Sequence, residues 1–183
     1  MTDAELAGRI RERALLEGDF VLRSGRRSSY YLDKYRFETQ PDLLGELGDR
    51  LGAAARAAAP EAVRLAGPEL GAVALTAAAS LASGLPFVIV RKEQKDYGTE
   101  RRLEGEFAAG EEVCLVEDVV TSGGAAVDAV RALRAAGLTC RIALCVVDRE
   151  EGGADALARE AVRLAPLFRA QDLLAASREL SSE

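Results

Sequence analysis

The sequence predicts a doubly wound α/β fold with a mainly parallel sheet flanked by helices. Short apolar runs at 63–66, 87–90, 113–116 and 141–147 alternate with segments of helical character. Strands buried on both faces read as near-continuous apolar runs, and parallel pairing requires a helical crossover between them. The size agrees: 183 residues, 49% hydrophobic and 30% charged, form one domain most simply, with enough chain to bury a substantial core.

Each element has its own signal. Leu6, Ile10, Ala14 and Leu15 recur at helical spacing and predict an amphipathic helix from Asp3 to about Glu17. Phe20, Val21 and Leu22, then Tyr30, Tyr31 and Leu32, predict two short strands around the polar turn 23–29. Pro41 and Asp42 open a helix running to about Ala59. The apolar run 63–66 leads through Gly67 and Pro68 to a helix near 70–83, and Pro86 introduces the run 87–90. Residues 91–111 carry many charges and no apolar period, so one long loop or arm is expected there. A strand at 113–116, a helix at 122–136, a strand at 141–147, a helix at about 154–161 and an apolar stretch at 162–168 complete the order. The expected organisation is a single domain over 1–183.

Composition removes several kinds of chemistry. The chain has no histidine, which excludes Ser-His and Cys-His triads, histidine-containing zinc sites and a histidine general base. Carboxylates, lysine, arginine, tyrosine, backbone amides or a borrowed metal remain. Cys114, Cys140 and Cys145 lie in or beside β-branched runs without CxxC spacing and read as small buried hydrophobes. The net charge of -6 gives no general attraction for nucleic acid. No run approaches the roughly 18 apolar residues that cross a bilayer, and the acidic, amphipathic opening is unlike a signal peptide. A cytoplasmic location is expected, with neither membrane nor nucleic acid as partner.

In doubly wound sheets ligands bind beyond the carboxyl ends of the strands. The unusual residues fall there, after Ala66, Val90, Val116 and Val147. The run ending at Val116 continues as E117-D-V-V-T-S-G-G-A125. Gly123 and Gly124 let backbone approach a ligand closely, and the amides of a helix start face an anion. An ordinary strand-to-helix turn capped by Thr121 or Ser122 would explain the loop alone. It does not explain Glu117 and Asp118, because carboxylates at a buried strand end need hydroxyls, a cation or hydrogen-bond donors. A ligand carrying both a phosphate and a vicinal diol satisfies both halves.

This stretch resembles the phosphoribosyl-pyrophosphate binding motif of the type I phosphoribosyltransferases. Three more segments resemble the orotate phosphoribosyltransferase branch: F20-V-L-R-S-G-R-R-S-S-Y-Y-L-D33, R91-K-E-Q-K-D-Y-G98 with Glu104-Gly105 following, and Val147-Asp148-Arg149. Together with G67-P-E-L-G71 they follow the family order over nearly the whole chain. The resemblance implies a type I phosphoribosyltransferase fold with a small N-terminal hood, residues 1–40 forming the first helix and a cover for the base. It implies that 91–111 is a mobile catalytic loop. The implied reaction moves the ribosyl 5-phosphate of phosphoribosyl pyrophosphate to orotate, giving orotidine 5′-monophosphate and pyrophosphate in pyrimidine biosynthesis.

The resemblance also assigns roles. Catalysis would rest on Lys95, Glu117 and Asp118. The donor would be bound by Arg91, Lys92, Lys95, Tyr97, Glu117, Asp118, Val119, Val120, Thr121, Ser122, Gly123, Gly124 and Ala125. Orotate would meet Arg23, Tyr30, Tyr31, Thr121 and Arg149. Magnesium is the implied cofactor, held mainly through substrate, with Glu117 and Asp118 orienting its waters. A homodimer sharing the 91–105 loop between subunits is implied as well. Two positions depart from the family pattern. Some members carry lysine in the Gly-Pro-x-x-Lys-Gly turn, which 67–71 lacks, and histidine often stands where this chain has Tyr97. Two other functions compete: a purine-type phosphoribosyltransferase, which would not need Arg149, and a non-catalytic sensor of phosphoribosyl pyrophosphate.

Overall fold

The computed structural model describes residues 1–21, 25, 27–92 and 102–176. Helix α1 (Asp3–Ala14) opens the chain, capped by Thr2, whose hydroxyl accepts the Glu5 amide. Strands β1 (Leu15–Val21) and β2 (Arg27–Leu32) pair antiparallel as a separate ribbon. The expected helix to Glu17 therefore stops three residues early. Leu15, Leu16 and Glu17 pair instead with Leu32, Tyr31 and Tyr30, so cross-strand bonds replace the last helical turn. The ribbon is longer than the two short strands anticipated, and a four-residue helix α2 (Tyr35–Glu38) follows it unforeseen.

The remaining chain is α3 (Pro41–Ala58), β3 (Arg64–Pro68), α4 (Gly71–Ser83), β4 (Phe87–Val90), β5 (Leu103–Glu104), β6 (Glu112–Val120), α5 (Gly124–Ala135), β7 (Thr139–Asp148), α6 (Gly153–Arg159), β8 (Arg163–Arg169) and α7 (Ala170–Ala175). The six-stranded sheet has the order β5-β4-β3-β6-β7-β8 and is parallel except for β5. Side chains along β6 alternate between two cores. Cys114 and Val116 join Leu43, Leu47, Leu51 and Leu75 of α3 and α4 on one face. Val113 and Leu115 join Val130, Leu133 and Leu157 of α5 and α6 on the other.

Two departures from expectation bear on function. Strand β6 runs past Val116 to Val120, because Glu117, Val119 and Val120 still pair with Cys145, Val147 and Asp148 of β7. The two acids, expected at the strand end just past Val116, thus sit within the paired strand itself. Within 91–111, β5 pairs with β4 through Ile89 and Glu104, so that region is not wholly irregular. Among the described residues, no helix is long and apolar enough to cross a membrane.

Candidate active site

Burial makes the two acids at the end of β6 costly to keep charged. Successive strand residues face opposite ways, and both carboxylates are nonetheless buried, Glu117 at 6% and Asp118 at 3% exposure. Asp118 accepts hydrogen bonds from the Lys34 ammonium and from the Val119 amide, each at 2.5 Å. Burial opposes the Lys34 charge, yet the adjacent Asp118 leaves its pKa raised. Glu38, at the far end of α2, is 3% exposed, and its Oε1 has no hydrogen-bond partner. Burial, then the nearby Asp118, push Glu38 up to about 8. The same two causes push Glu117 up to about 8, and its buried Oε1 is also unpartnered. Unpartnered buried carboxylate oxygens are costly in a native fold unless they have a use.

The backbone leaves just enough room for this cluster. Gly71 starts α4 against Asp118, and a Cβ there would lie 2.7 Å from Lys34 Nζ and overlap the Asp118 carboxylate. The peptide bond between Glu69 and Leu70, just before it, is cis.

Residues 121–123 connect β6 to α5. The N-cap of α5 is Gly123, at φ 81, with no side-chain cap. Neither the Thr121 nor the Ser122 hydroxyl caps the helix, so the ordinary capped turn is not the arrangement here. The first helical bond runs from the Val127 amide to the Gly123 carbonyl, so the preceding amides have no intrahelical partner. Gly123 lies against Gly153 at the start of α6, where a Cβ would come within 3.0 Å of backbone. Ser122, Gly124 and Ala125 are exposed, Thr121 is half-buried and Gly123 is buried, so most of the loop is open to a ligand. Val120 is buried, and its carbonyl accepts the Arg149 amide; Val119 is half-buried.

At the end of β7, Arg149 is 5.0 Å from the Tyr30 ring centroid. Its guanidinium contacts Glu151 at 3.0 Å, while its buried Nε has no partner. Tyr31 is 44% exposed and tilts against Phe20. The ribbon thus covers the β7 end through Tyr30. On the other flank, Glu69 accepts the Lys92 amide at 2.7 Å and lies 3.8 Å from Arg91, which also reaches Glu104 at 3.5 Å. Arg23, Lys95 and Tyr97 lie outside the described residues. Among the described residues, no three acid or thiol side chains gather as a metal cage.

These strand ends together offer an anion cradle, paired acids and a buried arginine under an aromatic ring. No family model matches the chain. The orotate phosphoribosyltransferase of Methanocella arvoryzae is 46% identical over 173 residues, spanning 94% of this chain and 97% of that protein. That of Halobacterium salinarum is 50% identical over 157 residues, 86% of this chain and 87% of that one. The chain belongs to the orotate phosphoribosyltransferase family. The crystal structure of the Aeropyrum pernix orotate phosphoribosyltransferase superposes with a TM-score of 0.84 at 34% identity, covering 97% of this chain and 99% of that one. The fold is that of the type I phosphoribosyltransferases, and members of the family are pentosyltransferases.

Within this orotate phosphoribosyltransferase architecture, the sequence-identified Glu117, Asp118, Thr121 to Ala125, Tyr30 and Arg149 lie at neighbouring strand ends. The sequence does not single out Lys34 or Glu38, and it marks Gly71 only as the end of the 67–71 turn. Their signal was faint: Lys34 and Glu38 are one helical turn apart directly after the ribbon, a pattern that charged surface helices share.

Proposed function

We propose that the chain transfers the ribosyl 5-phosphate of phosphoribosyl pyrophosphate to orotate, forming orotidine 5′-monophosphate and pyrophosphate. The observation that carries this reading is the buried Glu117–Asp118 pair beside a loop mostly open to a ligand, with Arg149 across the next strand end. The amides and hydroxyls of 121–125 hold the 5′-phosphate, helped by the positive end of α5. Glu117 and Asp118 accept hydrogen bonds from the ribose hydroxyls. Arg149, oriented by Tyr30 and Glu151, binds the orotate carboxylate, for which a guanidinium fork is well shaped. Arg23, Tyr30, Tyr31 and Thr121 complete the base pocket under a hood formed by residues 1–40.

As the bond from ribosyl C1 to diphosphate breaks, C1 becomes cationic and the leaving group gains negative charge. The buried acids favour the ribosyl cation, while Arg91, Lys92 and Lys95, with Tyr97 donating, neutralise the departing oxygens. No covalent nucleophile is required. Closure of the stretch between β4 and β5 excludes the water that would otherwise capture the activated ribose. Magnesium suits this site: the donors are carboxylate oxygens, one of them unpartnered, and substrate hydroxyls and phosphates supply the other oxygens. When bound, the ion neutralises charge on the diphosphate.

The active unit in this reading is a cytoplasmic homodimer whose 91–105 loops cross between subunits. Mixing Lys95→Ala with Asp118→Asn subunits then restores activity in hybrid sites. Absence of rescue in verified heterodimers counts against sharing. The solved Mycobacterium tuberculosis orotate phosphoribosyltransferase, 31% identical with a TM-score of 0.77, is in complex with phosphoribosyl pyrophosphate, which supports the donor assignment. Asp118→Asn tests the site itself: turnover should fall at least ~100-fold, as expected for a lost transition-state contact, with the melting temperature nearly kept. Equal loss of folding and turnover would make the strand end merely structural.

A further inference from the structure

We propose that Lys34 binds the diphosphate of the ribosyl donor, supplying from the α2 side the ammonium that the 67–71 turn lacks. The inference rests on reading the strand-end site as the pocket for phosphoribosyl pyrophosphate.

The order of strands gives the donor a direction. The acids sit at the end of β6, and the base subsite, marked by Arg149 and Tyr30, lies at β7 on one side. In a displacement at C1 the incoming base and the leaving group occupy opposite sides of that carbon. The diphosphate therefore points toward β3, whose carboxyl end runs into the 67–71 turn and α4.

This wall otherwise has the wrong charge for a diphosphate. The turn contributes Glu69 and no cation; Asp118 lies against Gly71, with Glu38 and Glu117 beside Asp118. Arg91 is shared between Glu69 and Glu104. The Lys34 ammonium reaches the turn from α2, beside Gly71, while bonded to Asp118 at 2.5 Å. A third of its side chain remains exposed. An ammonium has three donors, so one bond to Asp118 leaves others for phosphate oxygens. The 13-residue helix α4 begins at the same point and adds the positive end of its dipole. One ammonium therefore orders the acid that faces the ribose and presents charge to the group that leaves it.

The alternative is that Lys34 serves only to aim Asp118, and ligand binding separates the two. Calorimetric titration with inorganic pyrophosphate and magnesium, and separately with orotidine 5′-monophosphate, should be run on the wild type, Lys34→Gln, Lys34→Met and Lys34→Arg. Circular dichroism identifies which variants fold, and any one folded neutral variant suffices. Loss of the ammonium should weaken pyrophosphate roughly tenfold or more, the scale of one charge-assisted hydrogen bond. Orotidine 5′-monophosphate, which carries the ribose hydroxyls but no diphosphate, should change less than about twofold, and Lys34→Arg should recover most pyrophosphate affinity. Equal weakening of both ligands, or no weakening of pyrophosphate, overturns the proposal. Failure of the wild type to form orotidine 5′-monophosphate would instead overturn the functional reading beneath it.

Discussion

Gly71→Ala should disable the enzyme while leaving it folded. The φ of Gly71 lies outside the left-handed region, so alanine strains no backbone there and the effect is steric. The added methyl overlaps the Asp118 carboxylate and comes within 2.7 Å of Lys34 Nζ. The Asp118 backbone is held from the β7 side, where Glu117 and Val119 pair with Cys145 and Val147; its side chain must rotate. Overpacking of this kind costs about 1–3 kcal/mol, and alanine's helix preference returns up to ~1 kcal/mol. The remaining ~0–3 kcal/mol lowers the melting temperature of a chain this size by no more than roughly 12 °C. A displacement of ~1 Å at a group aligned with the reacting ribose lowers turnover about 100-fold. Initial rates of orotidine 5′-monophosphate formation, paired with thermal melts, measure both effects. Gly45→Ala is the control, since a Cβ at that exposed site in α3 meets nothing within 4 Å. If Gly71→Ala keeps kcat/KM within threefold of the control, close packing at Gly71 does not position Asp118.

Two further predictions follow from burial. Glu38 titrates near 4.5 when unfolded and about 8 when folded, so between those values the folded chain retains a proton that the unfolded chain releases. Stability therefore falls as pH rises through that window, and the full penalty is present above about 8. The melting temperature of Glu38→Gln should decline less than the wild type's between pH 5 and 9; parallel curves would remove Glu38 from the account. Cys114, Cys140 and Cys145 are buried free thiols, and burial pushes Cys114 up to about 12, Cys140 to about 11 and Cys145 well above its usual value. A thiol reagent at pH 8 should find none of them in the native protein and three after denaturation; rapid native modification of any one would contradict this.

The sheet was legible because fully buried strands carry their signal in local apolar runs, and 113–116 and 141–147 needed nothing distant to be recognised. The acidic strand end was legible because two carboxylates there conflict with burial. Less accessible were features set by partners far along the chain. Leu15 and Leu16 fit a helix equally well until cross-strand pairing with Leu32 and Tyr31 decides otherwise. Charges at 117 and 118 end an apolar run, but ladder hydrogen bonds belong to the backbone, so β6 continues to Val120. Lys34 meets Asp118 across 84 residues, and Glu38 reads as an ordinary exposed glutamate until the fold covers it.

The proposed function pairs this donor site with one acceptor. Purified protein, magnesium and phosphoribosyl pyrophosphate should be incubated separately with orotate, uracil, adenine, guanine and xanthine, and each nucleotide product measured. The predicted result is product from orotate alone, because only that base carries the carboxylate for which Arg149 is held. Product from a purine, with none from orotate, would contradict it.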